Sequence, residues 1–350
     1  MINGFSTSEG TARFASRFPE HKQNGFFREA VQRTVSSVGI GSYLGNADDA
    51  ADRGYEASME AALKGGINFI DTSLNYRNQH SEKNIGAALG RMIGSGELQR
   101  DEVMVCTKAG YLVPNAMPAV ALSSVDIVGK NHSLAPAFLA DQLERSRQNL
   151  GLETIDVFYL HNPETQLAHI SEDQFYQNVE AAFVQLEKFC DQGKIAYYGI
   201  ATWDGLRKEK QLSLERFVQI ALDAGGPLHR FRFAQMPLNL GMTEAFSLPT
   251  QSLSGVPANV LSCAGRMGIT TVGSASILQS RLASGLPEHV RQKLGLQTDA
   301  QRAIQFSRST PGLTVSLAGM SNPAHVAENL LLATVPITEP ATYFKLFQAS

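Results

Sequence analysis

Short apolar or β-branched runs recur along the chain, beginning near Val35, Ile67, Val103, Ile155, Ala196, Phe231, Ile269 and Val315. Between them lie segments whose apolar residues fall at helical spacing. From Pro136 to Leu150, Phe138, Leu139, Leu143 and Leu150 interleave with Asp141, Glu144, Arg145 and Arg147; from Ser171 to Gln192, Phe175, Val179, Ala182, Phe183, Leu186 and Phe189 mark one face. The polar opener Ser171-Glu172-Asp173 suits a helix N-terminus. Gly65-Gly66, Gly151, Gly193, Gly225-Gly226 and Gly268 stand just before the next run, where a left-handed helix cap belongs. Strand, helix, cap and strand again predicts parallel βα units, and eight of them is the number that closes a TIM barrel. The predicted fold is therefore α/β, a (β/α)8 TIM barrel. A doubly wound open sheet is the alternative, but it would carry a GxGxxG turn after its first strand. Gly39-Ile40-Gly41, followed by Ser42-Tyr43-Leu44-Gly45, lacks the third glycine in register and runs into Asn46-Ala47-Asp48-Asp49 instead of a helix.

Residues 1–32 are polar and punctuated by Phe5, Phe14, Phe18, Phe26 and Phe27 without sustained periodicity. They are expected to form an N-terminal extension packing its aromatics on the main body, a single barrel domain over residues 33–350. The widest interval, between the third and fourth strands, contains Tyr111 to Ala135. A loop of that length is functional or mobile, and in a barrel it leaves a strand's C-terminal end beside the active site. Leu240 to Ala258, after the sixth strand, is a second such excursion.

Composition narrows the function classes. With 43% hydrophobic and 18% charged residues the chain has material for a large core. Thirty basic against 33 acidic residues give a net charge of −3, and no Lys/Arg run stands out, so nucleic acid is not an expected partner. Cys106, Cys190 and Cys263 are scattered singly, outside any CxxC or Cys/His cluster. This argues for a reducing compartment and against a disulfide framework or a structural zinc site; no metal is expected. The start MINGFSTSEG lacks a basic-then-apolar leader, and no apolar run reaches 18 residues. No membrane association is expected, and a cytoplasmic location follows as the default.

Three consecutive strands finish in chemically capable residues. Gly66-Ile-Asn-Phe-Ile-Asp71 ends in an aspartate with Tyr76 five residues on, Val103-Met-Val-Cys-Thr-Lys108 ends in a lysine, and Ile155-Asp-Val-Phe-Tyr-Leu-His161 ends in a histidine. Singly, each has an ordinary structural reading as turn former, solvated cation, packing ring or satisfied imidazole. Together at one rim they make a candidate active site, because barrel sites gather from several strand ends.

The blocks GINFIDTSLNYRNQHSEKNIGAAL, VMVCTKAG and LERSRQNLGLETIDVFYLHNPE resemble the aldo-keto reductase superfamily, over roughly residues 33 to 335. The resemblance implies a catalytic tetrad of Asp71, Tyr76, Lys108 and His161 and hydride exchange between a nicotinamide and a carbonyl or alcohol. In that scheme Tyr76 is the general acid/base, Lys108 lowers the phenol pKa from about 10, Asp71 anchors Lys108, and His161 orients the substrate oxygen. The resemblance also implies cofactor contacts from Gly41, Ser42 and Tyr43, from Asp71, and from Gln235 toward the carboxamide. Further contacts are implied from Thr202, Ser274 and Ser276, and at the phosphate end from Gly319, Ser321, His325, Glu328 and Asn329, with Arg281 adding charge. NADP is the implied cofactor, with NAD admitted.

Three positions depart from the family pattern: Ala201-Thr202 replaces a Ser-Asn pair, Ser274 replaces a stacking aromatic, and His325 stands where a stronger base is usual. Trp203, the sole tryptophan, is either a stacking residue or core packing. The departures motivate a second reading, a regulatory nucleotide-binding barrel with little turnover. A Schiff-base aldolase using Lys108 is a third. A pocket rim drawn from Tyr43, Tyr111 to Ala135, Trp203 and Leu240 to Phe246 would give an apolar lip at Leu112, Val113, Met117, Val120 and Leu122.

Overall fold

A computed structural model describes residues 1–208 and 211–344; the last six residues of the expected barrel domain lie outside the described residues. The chain opens with helices α1 (Ser8–Ser16) and α2 (Pro19–Gln23) and an antiparallel hairpin, β1 (Phe27–Ala30) and β2 (Arg33–Ser36). Five strand–helix units follow: β3 (Val38–Gly41) with α3 (Asp49–Lys64), β4 (Phe69–Asp71) with α4 (His80–Gly94), β5 (Met104–Ala109) with α5 (Pro136–Leu150), β6 (Ile155–His161) with α6 (Glu172–Asp191), and β7 (Ile195–Ala201) with α7 (Leu214–Gly225). β8 (Phe231–Pro237) is followed by the short helix α8 (Glu244–Ser247), a hairpin of β9 (Gln251–Leu253) and β10 (Val256–Ala258), and α9 (Val260–Arg266). β11 (Thr270–Ser274) leads to α10 (Glu288–Leu294) and α11 (Asp299–Ser309), and β12 (Val315–Gly319) to α12 (Pro323–Leu330) and α13 (Pro340–Phe344).

Strands β3 to β8, then β11 and β12, pair in parallel and close on β3, the (β/α)8 barrel expected from the strand count. Alternation along each strand separates two apolar layers. Phe69, Cys106, Val157, Tyr159, Phe233, Val272 and Leu317 fill the barrel interior. Ile70, Val105, Phe158, Leu160 and Ile200 face outward among Leu139, Leu143, Phe183 and other helix residues. The inner layer also contains Ala30 and Val35, so the β1–β2 hairpin closes the barrel's N-terminal end. Val35, expected near the start of the first barrel strand, belongs to this plug, and the barrel wall begins at Val38. Phe14 and Phe26 of the N-terminal segment are buried in the main core, whereas Phe5 stays exposed.

Local signals account for the helix ends. Ser171 accepts from the Gln174 amide and caps α6, and Gly151 closes α5 at φ 67°. Asn46–Asp49, read from the sequence as loop, holds the start of α3: the Asp48 side chain accepts from the Ala51 amide. The long segments after the third and sixth barrel strands are present as residues 110–135 and 238–259.

Candidate active site

Strand register aligns the C-terminal rim of the barrel. Gly41 pairs with Asp71 and Gly319, Asp71 with Cys106, Lys108 with Tyr159, His161 with Ala201, and Ala201 with Gln235. Lys108 is fully buried beneath the rim. Its Nζ donates to Asp71 Oδ2 at 2.6 Å and to the Thr72 carbonyl at 2.8 Å. The other carboxylate oxygen, Oδ1, accepts from Gln235 Nε2 at 2.8 Å. The Lys108 ammonium lies 5.1 Å from the centroid of the Tyr76 ring, and that ring meets His161 edge-on at 5.8 Å. The four residues of the expected tetrad therefore converge.

Their electrostatics differ from simple expectation in one respect. Burial raises the Tyr76 phenol pKa, and Lys108, which pulls the other way, does not overcome it. Tyr76 is thus protonated at neutral pH, with the Lys108 cation beside its ring. Burial alone would push Lys108 down, but Asp71 and Tyr76 hold it above its ordinary value. His161 is driven well below 6.5 by burial, with Lys108 adding to the effect, so it stays neutral.

Neutral His161 raises the question of its tautomer. Ser73 Oγ lies 3.1 Å from His161 Nδ1, 2.6 Å from Asn75 Oδ1 and 3.1 Å from the Lys108 carbonyl. With one proton to give, the hydroxyl leaves His161 Nε2 protonated only when it donates to Nδ1. His132 adds a second hold: its Nε2 donates to the His161 carbonyl oxygen at 2.8 Å, while Nδ1 accepts from Gln166 at 3.1 Å. Burial takes His132 down to about 4. Sequence reasoning missed both residues. Ser73 stands two positions after Asp71 in the same block, a usable signal, whereas His132 lies in an aperiodic loop that offers none.

A cavity of about 710 Å³ opens at this rim, in the size range of small-molecule sites. Around the tetrad it is lined by Asp71, Tyr76 and His161, by Gly41, Ser42 and Tyr43, and by Thr202, Gln235 and Ser274. Toward its far end it is lined by Ser276, Gly319, Ser321, His325, Glu328 and Asn329. Arg281 is exposed and is not among the lining residues. The Ser276 hydroxyl is already used, donating to the Leu317 carbonyl and accepting from Ser316. Among the described residues, Asn329 Oδ1 is buried without a hydrogen-bond partner. At Gly319 an added Cβ would meet nothing within 4 Å, so the backbone there faces open space ahead of α12, whose N-cap is Asn322.

Tyr43, Tyr111 and Trp203 supply the aromatic walls. Trp203 is therefore a cavity residue, 37% exposed, and not core packing. Its backbone N–H, with those of Asp204 and Gly205, donates to Glu164 Oε1 at 2.6–3.3 Å. Of Tyr111 to Ala135 only Tyr111 lines the cavity, and Leu240 to Phe246 do not. The expected apolar lip is held on α5 instead, where Gln142 donates to the Ala116 carbonyl, Arg145 to the Met117 carbonyl, and the Ala119 amide to Asp141. No helix among the described residues is long and apolar enough to cross a membrane.

A closed barrel with ionisable strand ends around one cavity defines an enzyme-like α/β barrel, and comparison with known proteins specifies which. Residues 37–224 match the Aldo/keto reductase family, and the chain belongs to it. A putative voltage-gated potassium channel subunit beta of Schizosaccharomyces pombe is 24% identical over 319 residues, 85% of this chain and 84% of that protein. The D-threo-aldose 1-dehydrogenase of a Pseudomonas species is 31% identical over 156 residues, 42% of this chain and 43% of that one. Among solved structures, an aldo/keto reductase from Klebsiella pneumoniae in complex with NADP and acetate superposes with a TM-score of 0.63 at 18% identity, covering 90% of this chain and 91% of the other. The holo form of an aldo-keto reductase from Bacillus halodurans gives 0.64 at 19%, covering 93% and 97%.

Proposed function

We propose that this protein is an NAD(P)-dependent oxidoreductase that interconverts a carbonyl and an alcohol, with Tyr76 as general acid/base. The observation that carries the reading is the buried chain Gln235–Asp71–Lys108 set against the Tyr76 ring at the floor of the cavity. A nicotinamide bound there supplies or accepts the hydride. Tyr76 gives its proton to the developing alkoxide, and Lys108 stabilises the phenolate that remains. Asp71 keeps the ammonium charged in a site that would otherwise neutralise it. His161, protonated at Nε2 when Ser73 donates to Nδ1, fixes the carbonyl oxygen. In the oxidation direction the same residues run in reverse.

The cavity suits a dinucleotide by its volume, the open backbone at Gly319, the helix N-terminus behind it and the unpartnered Asn329 oxygen. Gly41, Ser42, Tyr43, Thr202 and Ser274 would flank the nicotinamide, and Ser321, His325 and Asn329 the far end. Gln235 lines the cavity and spends one amide hydrogen on Asp71, which leaves its second hydrogen and its Oε1 for the nicotinamide carboxamide. NADP is the proposed cofactor: Klebsiella and Bacillus proteins of the same fold are described with NADP or as the holo form. Among the described residues, His325 is the one His, Lys or Arg at the far end of the lining, and Glu328 faces the same space, so discrimination against NAD is expected to be modest. The extension expected over residues 1–32 is proposed to seal the barrel floor together with β2, which completes its hairpin.

A second reading, a nucleotide-binding regulatory barrel, is favoured by the near-full-length match to relatives described as potassium channel β subunits. The deciding experiment titrates the protein with NADPH and NADH and then screens the complexes against aldehydes and ketones. Saturable binding with turnover supports the enzyme, saturable binding without turnover the regulator, and no binding removes both.

A further inference from the structure

The backbone directly after Tyr76 is unusual. Arg77, Asn78 and Gln79 all have left-handed φ, at 48°, 53° and 75°, and none is glycine. Such a run is disfavoured for L-residues and persists only where surrounding contacts impose it.

The imposing contacts converge on one guanidinium. Arg77 has a side chain only 1% exposed. Its Nε donates to the Asn46 carbonyl at 2.8 Å, Nη1 to Asn84 Oδ1 at 2.8 Å and Nη2 to Asp52 Oδ1 at 2.6 Å. Its plane sits 4.6 Å from the centroid of the Tyr55 ring, and the Tyr55 hydroxyl donates to the Leu44 carbonyl at 2.5 Å. Asp52 is held in turn by His80, 2.8 Å from its other oxygen. One planar fork thus ties the residue after Tyr76 to α3, to α4 and to the loop between β3 and α3. That loop carries Tyr43, whose ring meets the Tyr76 ring edge-on at 4.9 Å, and its residues Tyr43, Leu44 and Gly45 line the cavity.

We propose that Arg77 is a positioning residue for Tyr76, locking the strained turn that aims the phenol and fixing the loop that walls the cavity on that side. Arg77 is buried and does not line the cavity, so its proposed action runs through Tyr76 and Tyr43. The inference deepens the carbonyl–alcohol reading and rests on it for its kinetic consequence. Lysine does not substitute fully, because it lacks the fork that reaches three acceptors at once. Glycine relieves the left-handed strain but removes the clamp, which separates the two parts of the claim.

The test compares the parent with Arg77→Ala, Arg77→Lys and Arg77→Gly, measuring kcat and KM with NADPH and an aromatic aldehyde, and amide hydrogen exchange across residues 42–48 and 76–80. A phenol displaced by about an ångström predicts a kcat about 100-fold lower in Arg77→Ala and Arg77→Gly. Arg77→Lys loses about tenfold, between these and the parent, and added guanidinium restores part of the Arg77→Ala loss. Exchange rises in the two named segments and not in the rest of the barrel. If Arg77→Ala does not fold, Arg77→Lys carries the comparison. Turnover within about threefold of the parent in whichever variant is read, or a rise in exchange spread evenly over the chain, overturns the proposal. A parent that binds nucleotide but reduces nothing sinks the oxidoreductase reading alone, and the exchange measurement still decides whether Arg77 holds the turn and loop.

Discussion

The buried pair of Lys108 and Asp71 offers a double-mutant cycle. Unit charges 2.6 Å apart attract by about 6 kcal/mol at an effective dielectric of about 20, and the cost of taking both out of water cancels much of this. What remains large is the penalty for stranding one partner, about 3–5 kcal/mol. Asp71→Asn leaves Lys108, fully buried, with neutral acceptors such as the Thr72 carbonyl at 2.8 Å and no counter-charge, and is expected at the upper end of that range. Lys108→Met leaves Asp71 with the Gln235 donor at 2.8 Å and a side chain 5% exposed to the cavity, and is expected at the lower end. The double variant removes both charges and should recover to within about 2 kcal/mol of the parent, a coupling energy of at least about 4 kcal/mol. Urea unfolding at neutral pH, followed by far-UV circular dichroism, supplies the three differences. Turnover should be lost in all three variants, including the stable double one, because Tyr76 loses either its cation or the carboxylate that keeps that cation charged. Single-variant losses that simply add, with coupling under about 0.5 kcal/mol, would refute the claim that the pair is an electrostatic unit.

Two further outcomes are expected. The folded-state pKa of His132, taken down to about 4 from 6.5, means that on acidification the unfolded chain takes up the proton first. Its contribution is complete above pH 6.5 and is lost as pH falls toward 4, about 3 kcal/mol over that window; His161 is shifted in the same direction. Unfolding midpoints at pH 7.5 and 4.5 should therefore converge between the parent and His132→Gln at the lower pH, and a gap independent of pH would contradict this. In Ser73→Ala, His161 Nδ1 loses its hydroxyl partner, and kcat should fall about tenfold, the worth of one hydrogen bond. Nucleotide affinity should be unchanged, and an unaltered kcat would show that His161 does not depend on Ser73.

The barrel was legible because eight apolar strands separated by amphipathic helices leave few alternatives, and the register of a closed sheet then forces Asp71, Lys108 and His161 to one end. The floor hairpin was not legible. Its turn residues Val31 and Gln32 adopt φ 46° and 64° without the Gly or Asn that announces such a turn, so Val35 read as barrel wall. The segment after β5 was placed correctly but assigned the wrong work. Contacts from Gln142, Arg145 and Asp141 pin it to α5, and no periodicity encodes hydrogen bonds between a loop and a distant helix face. The direction of the Tyr76 shift was misjudged because the lysine is visible in sequence whereas the depth of burial that outweighs it is not.

The proposed reaction turns on one proton, the one held by the Tyr76 phenol. A single-turnover experiment with the nucleotide complexes of the parent and of Tyr76→Phe, mixed with a carbonyl substrate reduced by the parent, reads hydride transfer directly as loss of NADPH absorbance. The expected result is transfer slowed by at least about 100-fold in Tyr76→Phe with nucleotide affinity unchanged. Transfer at the parental rate in Tyr76→Phe would contradict the assignment of Tyr76 as the proton donor.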